Sequence, residues 1–291
     1  MFSVLISEFE YNLLFRIILL FVIGATIGSF LNVVIYRLPI ILMRKWRAES
    51  YETLGLDYVK NDEFPSKFNL LVPQSGCLSC HQAIPFWANI PIIGFLLVRG
   101  KCVKCAIKIP VAYLFIEIVT AILFAYSGYI TSDILLLFAE LVFISFILCL
   151  IMIDYNTFYL PDELTLLLLW LGLLFNLHGL ISGSLVSALV GAAFGYAILW
   201  LVYWLFRLIT RREGLGYGDF KFLAALLAWV GISGLIPILF IAPLLGIVYF
   251  VIAYLKGKVT LHKAVPFGPF LGIAAIIILF FGKTFLIPLP I

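Results

Sequence analysis

Apolar stretches long enough to cross a bilayer constrain this chain more than any other feature. A helix needs about 20 consecutive apolar residues to span the hydrocarbon layer. Segments of this kind recur at roughly 13–36, 111–129, 134–153, 163–180, 184–206, 220–233, 235–255 and 266–283. Of the 291 residues, 64% are hydrophobic and only 12% charged, and the mean hydropathy is +1.18. Those values exclude a soluble domain of this size. The expected fold is therefore an all-α polytopic membrane protein with about eight transmembrane helices. Glu8 and Glu10 stand where a signal peptide would carry cationic residues, so the first apolar run is expected to be a retained helix.

Charge in the loops gives the expected orientation, because lysine and arginine concentrate on the cytoplasmic side. Arg37, Arg44, Lys45, Arg47, Lys60, Lys67, Arg99, Lys101, Lys104 and Lys108 follow the first span. Arg207, Arg211 and Arg212 follow the fifth, and Lys256, Lys258 and Lys263 the seventh. The other side has only Arg16 and Lys283. Both termini are thus expected outside and the basic loops in the cytoplasm. No basic stripe lies on a soluble face, which argues against nucleic acid as a partner. The bilayer is the partner that composition implies.

Within this topology two aspartates stand out. Asp154 closes the third span and Asp219 opens the sixth, so both fall at the cytoplasmic face. Asp219 ends the stretch Gly214-Leu215-Gly216-Tyr217-Gly218-Asp219, with Lys221 two residues on. Glycine admits positive φ and close approach of another backbone. Two neighbouring carboxyls can share a proton and act as base and acid on a peptide bond. The alternative is a pair of helix-boundary residues in headgroup water, with Asp219 as an N-cap. Asp219 begins a helix and Asp154 ends one, so the helix dipoles would leave a shared proton on Asp154. Asp162 and Glu163, after Pro161, suit helix capping better than catalysis. Glu117 and Glu140 lie inside apolar spans, where acids need partners or water. Gly24 and Gly28 form a small-xxx-small face suited to close helix packing. Pro266-Phe267-Gly268-Pro269 is read as a re-entrant or broken helix start.

The organisation expected is a first helix (1–36), a cytoplasmic loop domain (37–110) and a seven-helix membrane part (111–291). The loop holds Cys77-Leu78-Ser79-Cys80 and Cys102-Val103-Lys104-Cys105. Two C-x2-C turns suit tetrahedral Zn2+ or another thiophilic ion, whereas disulfides are unfavoured in a reducing compartment. The alternative is four unligated thiols. His81 is left out because four sulfurs complete the shell, and Cys149 is a packed core thiol. A transporter or channel with membrane carboxylates is the competing class. It would want acids near the midplane rather than at one face.

These motifs, in this order, resemble the bacterial prepilin leader peptidases, and the resemblance runs almost end to end. It rests on 28–39 (Gly28 to Pro39), Phe68-Asn69-Leu70, Asn89-Ile90-Pro91 and Arg99-Gly100-Lys101-Cys102. It continues through Asp154 to Asp162, Gly216-Tyr217-Gly218-Asp219-Phe220-Lys221 and Pro266-Phe267-Gly268-Pro269-Phe270. Departures are Asn156 for a second acid, Leu78 for a proline, and Ala112-Tyr113-Leu114 before Glu117.

The resemblance implies an inner-membrane GxGD aspartic peptidase. Its substrates would be type IV prepilins and type II secretion pseudopilins, cut after a glycine at the cytoplasmic membrane face. It implies Asp154 and Asp219 as the catalytic pair and Zn2+ on Cys77, Cys80, Cys102 and Cys105. Gly216, Gly218, Lys221, Asp162, Glu117 and Gly100 would have supporting roles. It also implies methylation of the new N-terminal amine from S-adenosylmethionine. The residues themselves show no glycine-rich turn of the kind that cradles a nucleoside cofactor. A peptidase without methyltransferase activity is the variant left open, as is the oligomeric state.

Overall fold

The computed structural model describes residue 9 and residues 12–56, 65, 67–181, 183–212, 214–257 and 265–285. Glu8, Glu10, Lys60, Lys258, Lys263 and the side chain of Lys283 lie outside the described residues. Among those residues the chain is all-α. Its helices are α1 (Leu13–Thr53), α2 (Ile93–Leu97), α3 (Val111–Ile130), α4 (Ile134–Thr157), α5 (Asp162–Phe175), α6 (Leu185–Thr210), α7 (Tyr217–Val230), α8 (Leu235–Leu255) and α9 (Gly268–Phe285). Extended pairing among the described residues is confined to two isolated bridges, Gly76 with Ala83 and Lys101 with Lys108. Contacts divide the chain into two units, Met1–Asp133 and Ile134–Ile291.

Every expected span falls on a helix, but helix length marks fewer full crossings than eight. Among the described residues five segments are long and apolar enough: α1, α3, α4, α6 and Ile232–Leu255, which carries α8. α5 and α7 have 14 residues each, or about 21 Å at 1.5 Å per residue. That is short of a hydrocarbon layer roughly 30 Å thick. α7 can be short because protein, not lipid, surrounds it. Phe220, Phe222, Leu223, Ala225, Leu226, Leu227 and Trp229 are all fully buried. The Trp229 indole donates to the Leu168 carbonyl at 2.7 Å. The Asn176 amide donates to the carbonyls of Ala228 and Trp229 at 2.9 and 3.1 Å, capping the end of α7 from the residue that follows α5.

The first helix departs from the sequence expectation in the other direction. The apolar run stops near residue 36, yet α1 continues to Thr53 for 41 residues in all. Its length is about 60 Å, twice the hydrocarbon thickness. Charge ended the apolar pattern without ending helix propensity, and Lys45–Glu49 adds an i,i+4 pair at 3.8 Å. Gly55, at φ 63°, finally turns the chain.

Within the first unit α3 lies against α1, and the glycines set the distance. A Cβ on Gly24 would stand 2.7 Å from the Ala121 Cα, and one on Gly28 2.8 Å from the Glu117 Cα. Neither backbone can give way. Gly28→Leu should therefore cost about 1–3 kcal/mol through overpacking and lower the unfolding midpoint of the solubilised protein. Val22→Leu, on the exposed face of the same helix, should leave that midpoint unchanged in the same thermal scan.

Candidate active site

Three helix ends meet around two carboxyls in the second unit. Asp154 lies one turn from the end of α4, which stops where Phe158 takes φ 55° and donates its N–H to the Asp154 carbonyl at 2.8 Å. Asp154 is 5% exposed. Its Oδ2 accepts the backbone N–H of Gly268 at 2.9 Å. Gly268 is the first residue of α9, so this N–H has no partner within its own helix. The Pro266–Pro269 stretch, read from sequence as a broken helix, is thus the start of α9 and a wall of the site. A Cβ on Gly268 would fall 2.6 Å from Asp154 Oδ2. Only glycine lets the backbone come this close. The stretch was legible in the sequence, but its carboxylate partner lies 114 residues away.

Asp219 is 8% exposed and occupies the third position of α7, with Gly216 as N-cap. It is not the N-cap itself. Its Oδ2 accepts the Gly216 N–H at 3.2 Å, the return half of a capping box. Asp154 and Asp219 lie within electrostatic reach of one another. The helix-end bias expected from sequence loses its footing here, because each carboxyl accepts an amide from a helix N-terminus.

The three glycines before Asp219 serve approach rather than unusual backbone angles. None of Gly214, Gly216 and Gly218 has positive φ. A Cβ on Gly218 would sit 3.0 Å from the Leu160 Cβ. That contact packs the Leu160-Pro161-Asp162 segment against the start of α7. Lys221 Nζ completes the join with contacts of 2.8 and 2.7 Å to the two Asp162 oxygens. Both side chains are more than a third exposed, so the pair contributes no more than about 1 kcal/mol. Asp162 is the first residue of α5, after Pro161 as N-cap, and its carboxylate is engaged by Lys221.

The first unit holds the cysteines. The Cys77 N–H donates to the Gln82 carbonyl at 3.0 Å, and the Cys102 N–H to the Ile107 carbonyl at 2.8 Å. Each hairpin-like knuckle turns through a left-handed residue, His81 in one and Ala106 in the other. The four Sγ atoms lie within 4.8 Å of one another. Cys77 to Cys105 is 3.7 Å and Cys80 to Cys102 is 4.0 Å. A tetrahedral zinc with arms of about 2.3 Å requires sulfur–sulfur edges near 3.8 Å. The donor set therefore fits a four-thiolate ion, and His81 is not part of it. The backbone N–H groups of Cys105 and Lys104 lower the Cys102 thiol to about 6, and those of Cys80 and Ser79 lower Cys77. The thiolate is thus favoured at Cys77 and Cys102, whereas at Cys105 the Ile107 N–H is outweighed by burial and the neighbouring thiols, which push that thiol up to about 12.

The remaining residues singled out from sequence are also placed in this unit. Glu117 is buried on α3, and its Oε2 accepts the Ile92 N–H at 2.7 Å. Gly100 takes φ 65° and its carbonyl accepts the Ile109 N–H at 2.8 Å, turning the chain into the second knuckle. Arg37 has a role that sequence reasoning missed. It is buried, donates to the carbonyls of Asn69 and Pro73 at 3.0 and 2.7 Å, and lies 5.6 Å over the Phe68 ring. The signal was an arginine just past an apolar run, in register with the helix face that packs. Glu140 and Cys149 are buried in α4.

With this geometry in view, comparison with known proteins is specific. Residues 22–131 match the bacterial peptidase A24 N-terminal domain, and residues 141–251 the type IV leader peptidase family. A prepilin leader peptidase/N-methyltransferase from Neisseria gonorrhoeae is 41% identical over 264 residues, 91% of this chain and 90% of that protein. One from Pectobacterium carotovorum subsp. carotovorum is 44% identical over 258 residues, 88% of this chain and 89% of that protein.

This chain belongs to the type IV leader peptidase family.

No solved structure matches it. Membership sets aside the transporter reading and makes the chain a multi-pass membrane enzyme. The two family matches fall on either side of the boundary between the units, cysteines in the first and both aspartates in the second. Gly268 lies beyond the matched residues.

Two outcomes follow from these contacts. Gly268→Ala should abolish activity without unfolding the protein, because its Cβ displaces the Asp154 carboxyl. Gly216→Ala, whose Cβ would lie no closer than 3.5 Å to any neighbour, should retain a measurable rate in the same peptide-cleavage assay. Cys77→Ser should lose bound metal by elemental analysis, and limited proteolysis should then cut the loop around 68–108 faster than in wild type.

Proposed function

We propose that this chain cuts the leader peptide from type IV prepilins and type II secretion pseudopilins after a glycine, with Asp154 and Asp219 as the catalytic pair. One observation carries the reading: two buried carboxyls converge at helix ends, each held by a main-chain amide, with no ion pair on either among the described residues. Like charges so placed resist simultaneous ionisation, so one carboxyl keeps a proton. The ionised member takes a proton from water as the oxygen attacks the scissile carbonyl. The protonated member delivers its proton to the leaving amine. Gly216, Gly218, Lys221 and Asp162 support the pair by fixing the start of α7.

The loop charges support a site at the cytoplasmic face of the inner membrane, with both termini periplasmic. The proposed layout has a first helix (1–36), a cytoplasmic zinc loop domain (37–110) and a peptidase part (111–291). Cys77, Cys80, Cys102 and Cys105 hold a structural Zn2+ that, when bound, ties the two knuckles together. Gly100 supports that loop. The names of the relatives support a second step, methylation of the new N-terminal amine from S-adenosylmethionine.

Asp154→Asn and Asp219→Asn should each lower cleavage of a prepilin peptide at least about 100-fold while leaving insertion and thermal stability intact. Mass analysis of both products checks this. Near-normal turnover in either variant would remove that residue from the mechanism.

A further inference from the structure

Two cavities open in the first unit, and they share a wall. The larger, about 1160 Å³, is lined by the hydroxyl and amide groups of Ser29, Asn32, Gln74 and Asn89 and by the ring of Tyr36. The smaller, about 470 Å³, is lined by apolar side chains such as Ile84, Phe95, Val98 and Leu114. Glu117 and Tyr113 line both. Small-molecule sites typically occupy about 300–1,000 Å³. Each cavity is therefore large enough for a ligand of its own.

Glu117 is the acid at this junction, and Arg37, which lines the larger cavity with it, is committed to the Asn69 and Pro73 carbonyls rather than to Glu117. Glu117 is 9% exposed. Its partners are neutral donors, the Ile92 N–H and the Ser29 hydroxyl, and no ion pair reaches it among the described residues. Ile92 holds a left-handed backbone, φ 61°, at the point where it makes this bond. A buried carboxylate with neutral partners calls for a cation. Methyl transfer to a peptide amine brings two, an α-ammonium and a sulfonium.

We infer that these joined cavities are the methyl-transfer site, with the nucleoside donor in the larger, the first side chain of the cut peptide in the smaller, and Glu117 as the base between them. The inference rests on the methylation proposed above. The residues fit the donor. The Tyr36 ring offers a stacking face for a base, and the hydroxyl and amide groups offer hydrogen bonds to a ribose and an amino-acid tail. The apolar cavity fits a hydrophobic side chain, which places the adjoining α-amine at the shared wall. Glu117 takes one proton from the α-ammonium. The freed lone pair on nitrogen forms the N–CH3 bond, the S–CH3 bond breaks, and its electron pair stays on sulfur as a neutral thioether. The nitrogen remains as a secondary ammonium, so charge and protons balance.

The test uses the full-length protein in detergent, a synthetic acceptor peptide with a free N-terminus, and S-adenosylhomocysteine as the binding probe. Glu117→Gln keeps an oxygen for the Ile92 N–H but cannot take the proton. It should lower methyl transfer, read as the mass gain of one methyl group, at least about 100-fold. It should leave S-adenosylhomocysteine affinity and prepilin cleavage within a few-fold of wild type. Tyr36→Ala should instead weaken S-adenosylhomocysteine binding about tenfold, a loss of roughly 1.4 kcal/mol, with cleavage retained. Normal methyl transfer by Glu117→Gln would overturn this inference alone. Loss of probe binding in Glu117→Gln would also overturn it, by putting Glu117 on the donor. Wild-type protein that cuts but neither methylates nor binds the probe would instead remove methylation from the proposed function, and this inference with it.

Discussion

Three buried carboxylates, Asp154, Asp219 and Glu117, are each held by a backbone N–H rather than by a lysine or arginine. In a largely apolar interior an unsatisfied carboxylate is costly, yet a paired cation would quench its chemistry. A single main-chain donor resolves the conflict. It supplies a hydrogen bond and fixes the orientation of the group, to which the Ser29 hydroxyl adds a second bond on Glu117. Two of the donors lie where a helix supplies them for nothing, at the unsatisfied first turns of α7 and α9. The helix boundaries of the second unit are therefore fixed by the site as much as by packing.

That arrangement demands rigid helix ends, and the surrounding core supplies them. α7 is sheathed on all sides, with Trp229 bonded to the α5 backbone and Asn176 capping its last carbonyls. Phe143 on α4 packs on Trp229 at 5.0 Å between centroids. The far end of α7 is locked, so its near end can present Asp219 without fraying. Lys221 and Asp162 tie that near end to α5. The first unit uses a different device. Its loop is too small to bury a core, so turns held by Arg37, Glu117 and the cysteine knuckles take the place of one.

The legible parts of this site were local in sequence. The C-x2-C pairs were readable because two residues are the span of one metal-binding turn, and the four sulfurs converge as that spacing requires. Asp154 and Asp219 were readable because each marks the end of an apolar run, and both prove to be buried at helix ends. Gly24 and Gly28 were readable because their spacing is that of one helix face, and they do meet α3. The length of α1 was not. Hydropathy reports where lipid contact ends, whereas a helix ends where its backbone bonds do, here at Thr53 rather than at residue 36.

By itself the sequence determined the class of the molecule and singled out four cysteines that could hold a metal ion and two aspartates that end up buried. Composition and short motif spacings carry those properties, and each acts over a few residues. Only the tertiary structure decided that Gly268 faces Asp154, that Lys221 reaches Asp162, that Arg37 anchors the 69–73 turn and that Glu117 stands between two cavities. Those pairings join residues from about 30 to more than 100 positions apart. They are fixed by which helices pack and how closely, a balance over the whole core that no local pattern records.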